Sequence, residues 1–348
     1  RALAVRMAAS CGRRLDDACP VVDATLPDGT RLNAVLPPLS ADGTLICLRT
    51  KRRSAFTLGQ LVEAGTVAPG LDSVLAALIE TRASCLITGA TGTGKTTLLA
   101  ALLGLVSATE RIVCIEEAAE LRPDHPHVLH LQERGDNVQG AGAVPMSALV
   151  RTALRMRPDR IVLGECRGPE VRDVLTALNT GHEGGWATLH ANSPADVPAR
   201  LTALGALAGL DETAVAAQAV SALDAVIHLR RSGATGGGIA GIRSPRAVTA
   251  ERSSTRGSDG PDSCASPEQD AMSSRSSRTR RYVSGIGMLR RGAQGSLVCE
   301  DALIVALDGA AGTVCAVSAG PAVDRLAERI GAAPVAAAMK GGTSWTPL

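Results

Sequence analysis

The sequence predicts an α/β fold in which a mostly parallel sheet is covered by helices on both faces. Two observations predict it. Apolar, strand-like runs alternate with helical patterns from residue 71 to residue 229, and such alternation is typical of parallel sheets built from βαβ units. A glycine-rich turn at residues 89–94 separates one of these strands from the helix that follows it. With 348 residues, of which 45% are hydrophobic, the chain is long enough to bury the core of such a fold.

Hydrophobic periodicity predicts the elements in chain order. Residues 21–36 and 44–49 alternate apolar and polar positions, with a turn at Leu26-Pro27-Asp28-Gly29, and predict a small β-containing domain. A connector with one short helix over 58–64 follows. Beyond it, the pattern predicts helices over 71–82, 95–107, 146–156, 170–179 and 195–208. Strands are predicted over 85–88, 111–116, 160–164, 186–190 and 225–229.

The composition changes abruptly after residue 231. Residues 232–280 are dense in Ser, Arg, Gly and Pro and hold few large apolar side chains, so they cannot bury enough surface to offset the entropy of ordering. They predict a disordered insertion, followed by strands over 282–289 and 296–307 and a helix over 323–330. The predicted division is an N-terminal domain over 1–54, a linker over 55–70, an α/β core domain over 71–231, the insertion over 232–281, and C-terminal strands and a tail over 282–348. Because the first residue is Arg rather than Met, we expect the N-terminal domain to be truncated.

The composition argues against several classes of protein. The formal charge is only +2, and aromatic residues make up 1% of the chain, which leaves little to attract or stack nucleic acid. Nine cysteines are scattered without a CxxC pair, so neither a zinc site nor a redox motif is predicted, and a reducing cytosol is expected. The longest strongly apolar run, about residues 98–108, is well short of the roughly 20 residues that a membrane span requires.

One motif carries the strongest chemical signal. Gly89-Ala90-Thr91-Gly92-Thr93-Gly94-Lys95-Thr96 matches the phosphate-loop pattern GxxxxGK[ST], and it lies between a predicted strand and a predicted helix, as the motif requires. The loop turns its backbone N–H groups toward phosphates, and Lys95 reaches the β and γ phosphates. Thr96 offers its hydroxyl to Mg²⁺. We therefore expect ATP and Mg²⁺ as ligands, with residues from Gly89 to Thr97 in contact with the nucleotide.

Two acidic strand ends accompany this loop. Arg160-Ile161-Val162-Leu163-Gly164-Glu165 is an apolar strand that ends in a carboxylate, at the sheet edge where α/β proteins bind ligands. Glu165 is predicted either to hold Mg²⁺ through water or to position the attacking water. A second strand ends in Glu116, followed by Glu117. Because strand side chains alternate between faces, only one of these two is expected to enter the site, and Glu116 is favoured.

Taken together, the motifs resemble a family, the hexameric secretion-superfamily ATPases of type II and type IV secretion and Flp/Tad pilus assembly, of the CpaF or TadA kind. The resemblance covers roughly residues 21–230, and within the family it is greatest to an actinobacterial branch found beside helicase genes. It is carried by Val22-Asp23-Ala24-Thr25-Leu26-Pro27-Asp28-Gly29-Thr30-Arg31-Leu32-Asn33-Ala34-Val35, the phosphate loop, Ile115-Glu116-Glu117-Ala118-Ala119-Glu120-Leu121, Leu154-Arg155-Met156-Arg157-Pro158-Asp159 with the strand to Glu165, and Thr188-Leu189-His190-Ala191-Asn192-Ser193.

The resemblance implies roles that spacing alone does not give. It implies a RecA-like P-loop core with a small N-terminal α+β domain and a C-terminal strand appendage. It makes Glu116 a catalytic Glu, Glu165 the Walker B Glu, and His190 a sensor of the γ-phosphate. Arg49 and Arg155 match family arginines near the nucleotide. It also implies a homo-oligomer, a hexamer, in the cytoplasm at the inner face of the membrane, where an integral membrane platform protein is the partner.

The sequence thus predicts a Mg²⁺-dependent ATPase whose stroke powers protein secretion or Flp/Tad-type pilus assembly. Two alternatives stay open. A DNA or RNA translocase or helicase could be built on the same core, although a nucleic-acid partner is not expected from the charge. An ATP-binding scaffold without turnover is the other, and the intact Lys95, Thr96, Glu165 and His190 argue against it.

Overall fold

The computed structural model describes residues 1–50, 55–135, 142–232, 280–307 and 314–340. The predicted disordered insertion falls almost wholly on residues 233–279 and so lies outside the described residues, as do residues 341–348 of the predicted tail. Within the described part of the chain, no helix is long and apolar enough to cross a membrane.

The N-terminal part is a small α+β unit. Strands β1 (Val21–Thr25), β2 (Arg31–Val35) and β3 (Leu45–Arg49) form an antiparallel sheet in that order. One face of the sheet packs on helix α1 (Ala2–Ser10), which the periodicity did not predict. The alternation in β2 explains the packing, since Leu32 and Ala34 are fully buried while Asn33 between them is exposed.

A nine-stranded sheet forms the centre of the molecule. Its order is β12-β11-β10-β9-β4-β8-β7-β5-β6. The strands are β4 (Cys85–Gly89), β5 (Ile112–Glu116), β6 (Val128–Gln132), β7 (Arg160–Cys166), β8 (Trp186–Leu189), β9 (Ala225–Arg231), β10 (Arg281–Arg291), β11 (Leu297–Leu307) and β12 (Val314–Ala319). Neighbours from β9 to β6 pair in parallel, whereas β9 to β12 pair antiparallel. The predicted fold class is confirmed, and the C-terminal strands continue the main sheet.

Helices cover both faces of this sheet. The helices on one face are α2 (Leu58–Glu63), α3 (Leu71–Glu80), α4 (Lys95–Leu103), α9 (Val323–Ile330) and α10 (Ala332–Ala338), and on the other α5 (Met146–Ala153), α6 (Glu170–Asn179), α7 (Val197–Leu207) and α8 (Glu212–Ala222). Because strand side chains alternate, Cys85 and Ile87 of β4 belong to the first layer and Leu86 to the second. Buried strands with apolar residues on both faces are what a parallel sheet between two helical layers requires.

The hydrophobic pattern did not predict β6 or α8, because the apolar periodicity of both elements is weak. β6 carries polar His130 and Gln132 on an edge of the sheet, and α8 is rich in alanine. In α8 the signal is the cap, since the Asp211 carboxylate accepts a hydrogen bond from the N–H of Ala214 at 2.7 Å. The helix predicted over 95–107 ends earlier, at Leu103. The strand predicted over 225–229 runs on to Arg231 because it pairs with β10.

Candidate functional site

The candidate site lies where four parallel strands end. β4, β5, β7 and β8 run in the same direction, so the residues that follow or close these strands meet at one edge of the sheet. A cavity of about 430 Å³ opens there, lined by the phosphate loop and by charged side chains. The predicted residues that line it are Arg49, Thr91, Gly92, Gly94, Lys95, Thr96, Thr97, Glu116, Glu165 and His190.

The phosphate loop depends on its glycines. Gly89, Gly92 and Gly94 have φ values of +147°, +74° and +100°, which L side chains rarely adopt. At Gly89 there is no space either, because an added Cβ would lie 2.5 Å from the carbonyl oxygen of Leu229. At Gly92 nothing lies within 4 Å of the same position. The loop is therefore packed against β9 at its base and open at its tip, where phosphates can approach the backbone.

Lys95 is almost completely buried at the base of the cavity, with 7% of its surface exposed. Its Nζ donates to the carbonyl oxygens of Gly89 (3.0 Å) and Ala90 (3.2 Å), and it lies 3.2 Å from Nδ1 of His190. Burial lowers the pKa of Lys95, partly against the attraction of Glu165. The ammonium group is thus held by its own loop and by His190, with no carboxylate in direct contact among the described residues.

Glu165 and His190 form a pair across the ends of β7 and β8. His190 Nε2 lies 2.7 Å from Glu165 Oε1. Burial and the nearby charge of Lys95 lower the pKa of His190, so the imidazole is neutral at neutral pH while it contacts both Lys95 and Glu165. Burial alone would raise the pKa of Glu165, but the hydrogen bond from Arg167 and the cations around it lower that pKa overall. Glu165 is therefore ionised at neutral pH.

Glu116 is held beneath the cavity by the backbone. Its Oε1 accepts hydrogen bonds from the N–H groups of Glu120 (3.0 Å) and Leu121 (2.9 Å). Its Oε2 is buried without a hydrogen-bond partner among the described residues, and Nδ1 of His130 lies 3.9 Å away. Gly164 makes room for the side chain, since a Cβ there would lie 2.6 Å from Glu116 Cγ. One oxygen is therefore fixed and the other is available as an acceptor.

Glu117 also lines the cavity, which the expected alternation of strand side chains did not allow. The reason is that β5 ends at Glu116 and Glu117 lies in the bend that follows. The alternation of side chains between the two faces of a strand therefore does not apply to Glu117. Its carboxylate is half exposed and accepts a hydrogen bond of 2.6 Å from Arg167. Glu116 is the buried member of the two and Glu117 the exposed one.

The two predicted arginines lie in different places. Arg49, at the end of β3, reaches the cavity and pairs with Glu120 at 2.8 Å. Arg155 is exposed on the 3₁₀ turn Leu154–Met156, which precedes β7 and so lies toward the opposite edge of the sheet. The structure does not bring Arg155 to the cavity of its own chain.

Three further arginines line the cavity and were not singled out in the sequence. Arg167 follows β7 and donates to Glu165 and Glu117. Arg31 of β2 lies 3.6 Å from Glu117, and Arg281 is the first residue of β10. Only Arg167 had a usable signal, its position two residues after Glu165. Arg31 and Arg281 reach the site through the packing of distant strands.

The residues present suit a nucleotide with Mg²⁺. The Thr96 hydroxyl and the ionised Glu165 carboxylate line the same cavity, and oxygen ligands of this kind are what Mg²⁺ prefers, with the remaining positions filled by phosphate and water. The described residues hold no group of three or more His, Cys, Asp or Glu side chains able to bind a metal by themselves.

Comparison with known sequences gives the following matches. Residues 1–276 match the family model described as "Type II/IV secretion system protein". "Putative conjugal transfer protein Rv3659c" of Mycobacterium tuberculosis is 52% identical over 237 residues, which are 66% of this chain and 67% of that protein. "Type IV secretion system protein PtlH homolog" of Bordetella bronchiseptica is 37% identical over 227 residues, which are 58% of this chain and 66% of that protein.

Among solved structures, the VirB11 ATPase of the Brucella suis type IV secretion system has a TM-score of 0.39 at 25% identity, covering 66% of this chain and 74% of that one. The Legionella pneumophila ATPase DotB has a TM-score of 0.46 at 24% identity, covering 61% and 58%.

Proposed function

Because the chain belongs to the type II/IV secretion system protein family, we propose that its cavity binds Mg²⁺-ATP and hydrolyses it to drive transport. The observation that carries the proposal is the direct chain of contacts from the phosphate loop through Lys95 and His190 to Glu165. A glycine-rich turn with only a structural role would not require the buried ammonium group of Lys95, the neutral imidazole of His190 and the ionised carboxylate of Glu165 to lie in contact with one another.

In the proposed reaction, a water molecule attacks the γ-phosphorus, forming one P–O bond while the bond to the β-phosphate oxygen breaks. We assign the acceptance of that water's proton to Oε2 of Glu116, and its lack of a hydrogen-bond partner among the described residues supports this assignment. Lys95 exchanges its loop carbonyls for phosphate oxygens. His190, which contacts both Lys95 and Glu165, registers whether the γ-phosphate is present.

Thr96 and Glu165 are the residues that would hold Mg²⁺, Glu165 through water. When bound, the ion supplies positive charge to the β and γ phosphates. Arg167 restrains Glu165 through a hydrogen bond of 2.8 Å to Oε2 and an ion-pair contact of 2.8 Å to Oε1, so the carboxylate stays oriented toward the cavity. Arg49 and Arg31 add positive charge from the N-terminal domain, and Arg155 would act only on the site of a neighbouring subunit.

The proposed biological role is a ring-shaped motor, a hexamer, at the cytoplasmic face of the inner membrane. The N-terminal domain contacts the site through Arg49 and Glu120, so nucleotide turnover can move it against the core. The stroke would act on an integral membrane platform protein and power protein secretion or Flp/Tad-type pilus assembly. The names of the Bordetella and Mycobacterium relatives support a transport role.

A DNA or RNA translocase on the same core is the second candidate. One observation favours it, namely the conjugal-transfer name of the mycobacterial relative. The formal charge of +2 and the aromatic content of 1% oppose it, because strand-binding motors rely on basic grooves and stacking side chains.

The test is Mg²⁺-ATP turnover by the full chain, with Lys95→Ala as the inactive control, in the presence and absence of single- and double-stranded DNA. We expect turnover without DNA, loss of it in Lys95→Ala, and no stimulation by DNA. Stimulation by DNA that falls steeply with salt would favour the translocase. Nucleotide binding without turnover under any condition would favour the scaffold.

A further inference from the structure

The cavity contains one guanidinium group, that of Arg281, that does not pair with an acidic side chain of the described residues. Five cationic and four carboxylate side chains line it. Arg31 lies near Asp23 and Glu117, Arg49 pairs with Glu120, and Arg167 pairs with Glu165 and Glu117. Arg281 is exposed, and among the described residues its side chain makes no ion pair or hydrogen bond. Apart from Lys95, it is the free cation of the cavity within the described part of the chain.

Arg281 is placed at the junction between the phosphate loop and helix α4. A Cβ built on Gly94 would lie 3.7 Å from Cδ of Arg281 and 3.9 Å from Cδ2 of Leu229. Gly94 is the N-cap of α4, so its neighbourhood carries the positive end of the helix dipole. Without an anion, two positive features side by side repel each other. A bound anion would relieve that repulsion and contact both.

The order of the strands in the sheet indicates which part of a bound nucleotide would lie beside Arg281. β4, which leads into the phosphate loop, has β8 on one side and β9 on the other. His190 and Glu165, the groups assigned to the γ-phosphate, follow the β8 and β7 side. Arg281 begins β10, which pairs with β9, so it stands on the opposite side of the loop. A nucleotide with its γ-phosphate at Glu165 therefore extends its nucleoside end toward Arg281.

We infer that Arg281 is a nucleotide-binding residue that contacts the α-phosphate and ribose end of the bound nucleotide. This inference rests on the proposed function, because it requires a nucleotide in the cavity. Arg281 contributes affinity that ADP and ATP share, whereas His190 and Glu165 act on the γ-phosphate alone. A guanidinium group suits the role because its planar fork donates two parallel hydrogen bonds to phosphate oxygens.

The start of β10, which carries Arg281, is held in place by backbone hydrogen bonds. Ser232 N–H donates to the carbonyl oxygen of Arg280 at 2.8 Å, and Val283 N–H donates to the carbonyl oxygen of Thr66 at 2.8 Å. These bonds fix the start of β10 against β9 and against the chain that precedes α3. The side chain is therefore presented from a fixed strand end, which lowers the entropic cost of binding.

The experiment measures dissociation constants by calorimetry for ADP and for adenylyl imidodiphosphate, a non-hydrolysable ATP analogue, with Mg²⁺ and the full chain. Arg281→Gln is expected to weaken both ligands equally, by about tenfold, and Arg281→Lys to weaken them less. Arg280→Gln is the matched control, because Arg280 carries the same charge one residue earlier and does not line the cavity. It should bind within about twofold of the wild type, since an exposed charge outside the site contributes little.

Wild-type affinity of Arg281→Gln for both ligands would overturn the inference. Weakening of the triphosphate analogue alone would also overturn it, because the contact would then lie at the γ-phosphate. If the wild type itself binds neither ligand, the proposed function fails and not merely the role of Arg281. Without nucleotide, Arg281→Gln is expected to melt at a temperature no lower than the wild type, since the Arg281 side chain makes no ion pair or hydrogen bond among the described residues.

Discussion

At the scale of single residues, His190 joins the two halves of the site. Its Nδ1 and Nε2 lie 3.2 Å and 3.5 Å from Nζ of Lys95, and Nε2 also lies 2.7 Å from Oε1 of Glu165. Because burial and Lys95 lower the pKa of His190, its imidazole stays neutral at neutral pH. A single side chain therefore connects the phosphate loop to the carboxylate at the end of β7.

Gly164 limits the position of Glu116. Gly164→Ala would place a Cβ 2.6 Å from Glu116 Cγ and 3.2 Å from Oε1, so the carboxylate must move away from its backbone donors. We expect turnover to fall by about tenfold to a hundredfold and the free energy of unfolding to fall by about 1–3 kcal/mol. Steady-state ATP hydrolysis and urea unfolding measure the two effects.

Gly59→Ala is the control for that prediction. A Cβ at Gly59 would meet only Thr57 Oγ1 at 3.9 Å, an ordinary contact, and the position lies in α2 away from the cavity. We expect this variant to keep wild-type turnover and to be slightly stabilised, by roughly 0.5–1 kcal/mol. Wild-type turnover in Gly164→Ala would show that the placement of Glu116 does not matter for the reaction.

At the scale of elements, the pairing of β4 with β9 buries a histidine that could not be found from the sequence. His228 is 1% exposed, and its Nδ1 lies 2.8 Å from Thr88 Oγ1. Burial, together with the nearby charge of Arg230, lowers the pKa of His228 to about 4. The folded protein thus keeps this imidazole neutral over a range in which the unfolded chain takes up a proton.

The sign of the effect on stability follows from that difference. The pKa of His228 is 6.5 in the unfolded chain and about 4 in the folded protein, so stability is complete above 6.5 and falls as the pH drops toward 4. Between pH 7 and pH 5 the loss from His228 is about 2 kcal/mol. We expect the wild type to lose this much more free energy of unfolding than His228→Gln over the same interval, measured by urea unfolding. Equal pH dependence of the two proteins would contradict the assignment.

The elements also show how much could be predicted from the sequence. The phosphate loop, Glu116 and Glu165 are predictable because each lies at the end of a strongly apolar strand, and parallel strands bring their ends to one edge. The role of His190 is predicted by the family resemblance alone. The family indicated by these motifs is confirmed by the match over residues 1–276. Arg281 could not be predicted, since only the pairing of β10 with β9 carries it to the loop.

At the scale of the whole molecule, the N-terminal domain closes one side of the cavity. Arg49 pairs with Glu120, and Arg31 lies 3.6 Å from Glu117, so two strands of the small sheet contact the segment after β5. Arg49 is 70% exposed as a side chain, and an ion pair of this kind contributes only about 0–1 kcal/mol. The two units are therefore held weakly across the site, which suits a domain that moves during turnover.

The placement of Arg155 bears on assembly. It is exposed and does not line the cavity of its own chain, so a role at the nucleotide requires a neighbouring subunit. If hydrolysis depends on a neighbouring subunit, turnover per chain should fall on dilution, because dilution separates the subunits.

The most direct test of the proposed motor is Mg²⁺-ATP turnover as a function of protein concentration, for the wild type beside Glu165→Gln, without nucleic acid. We predict that specific activity rises with concentration in the wild type and is lost in the variant, while the variant still binds ADP. Equal turnover in the two proteins would contradict the role of Glu165, and turnover independent of concentration would contradict shared sites in a ring.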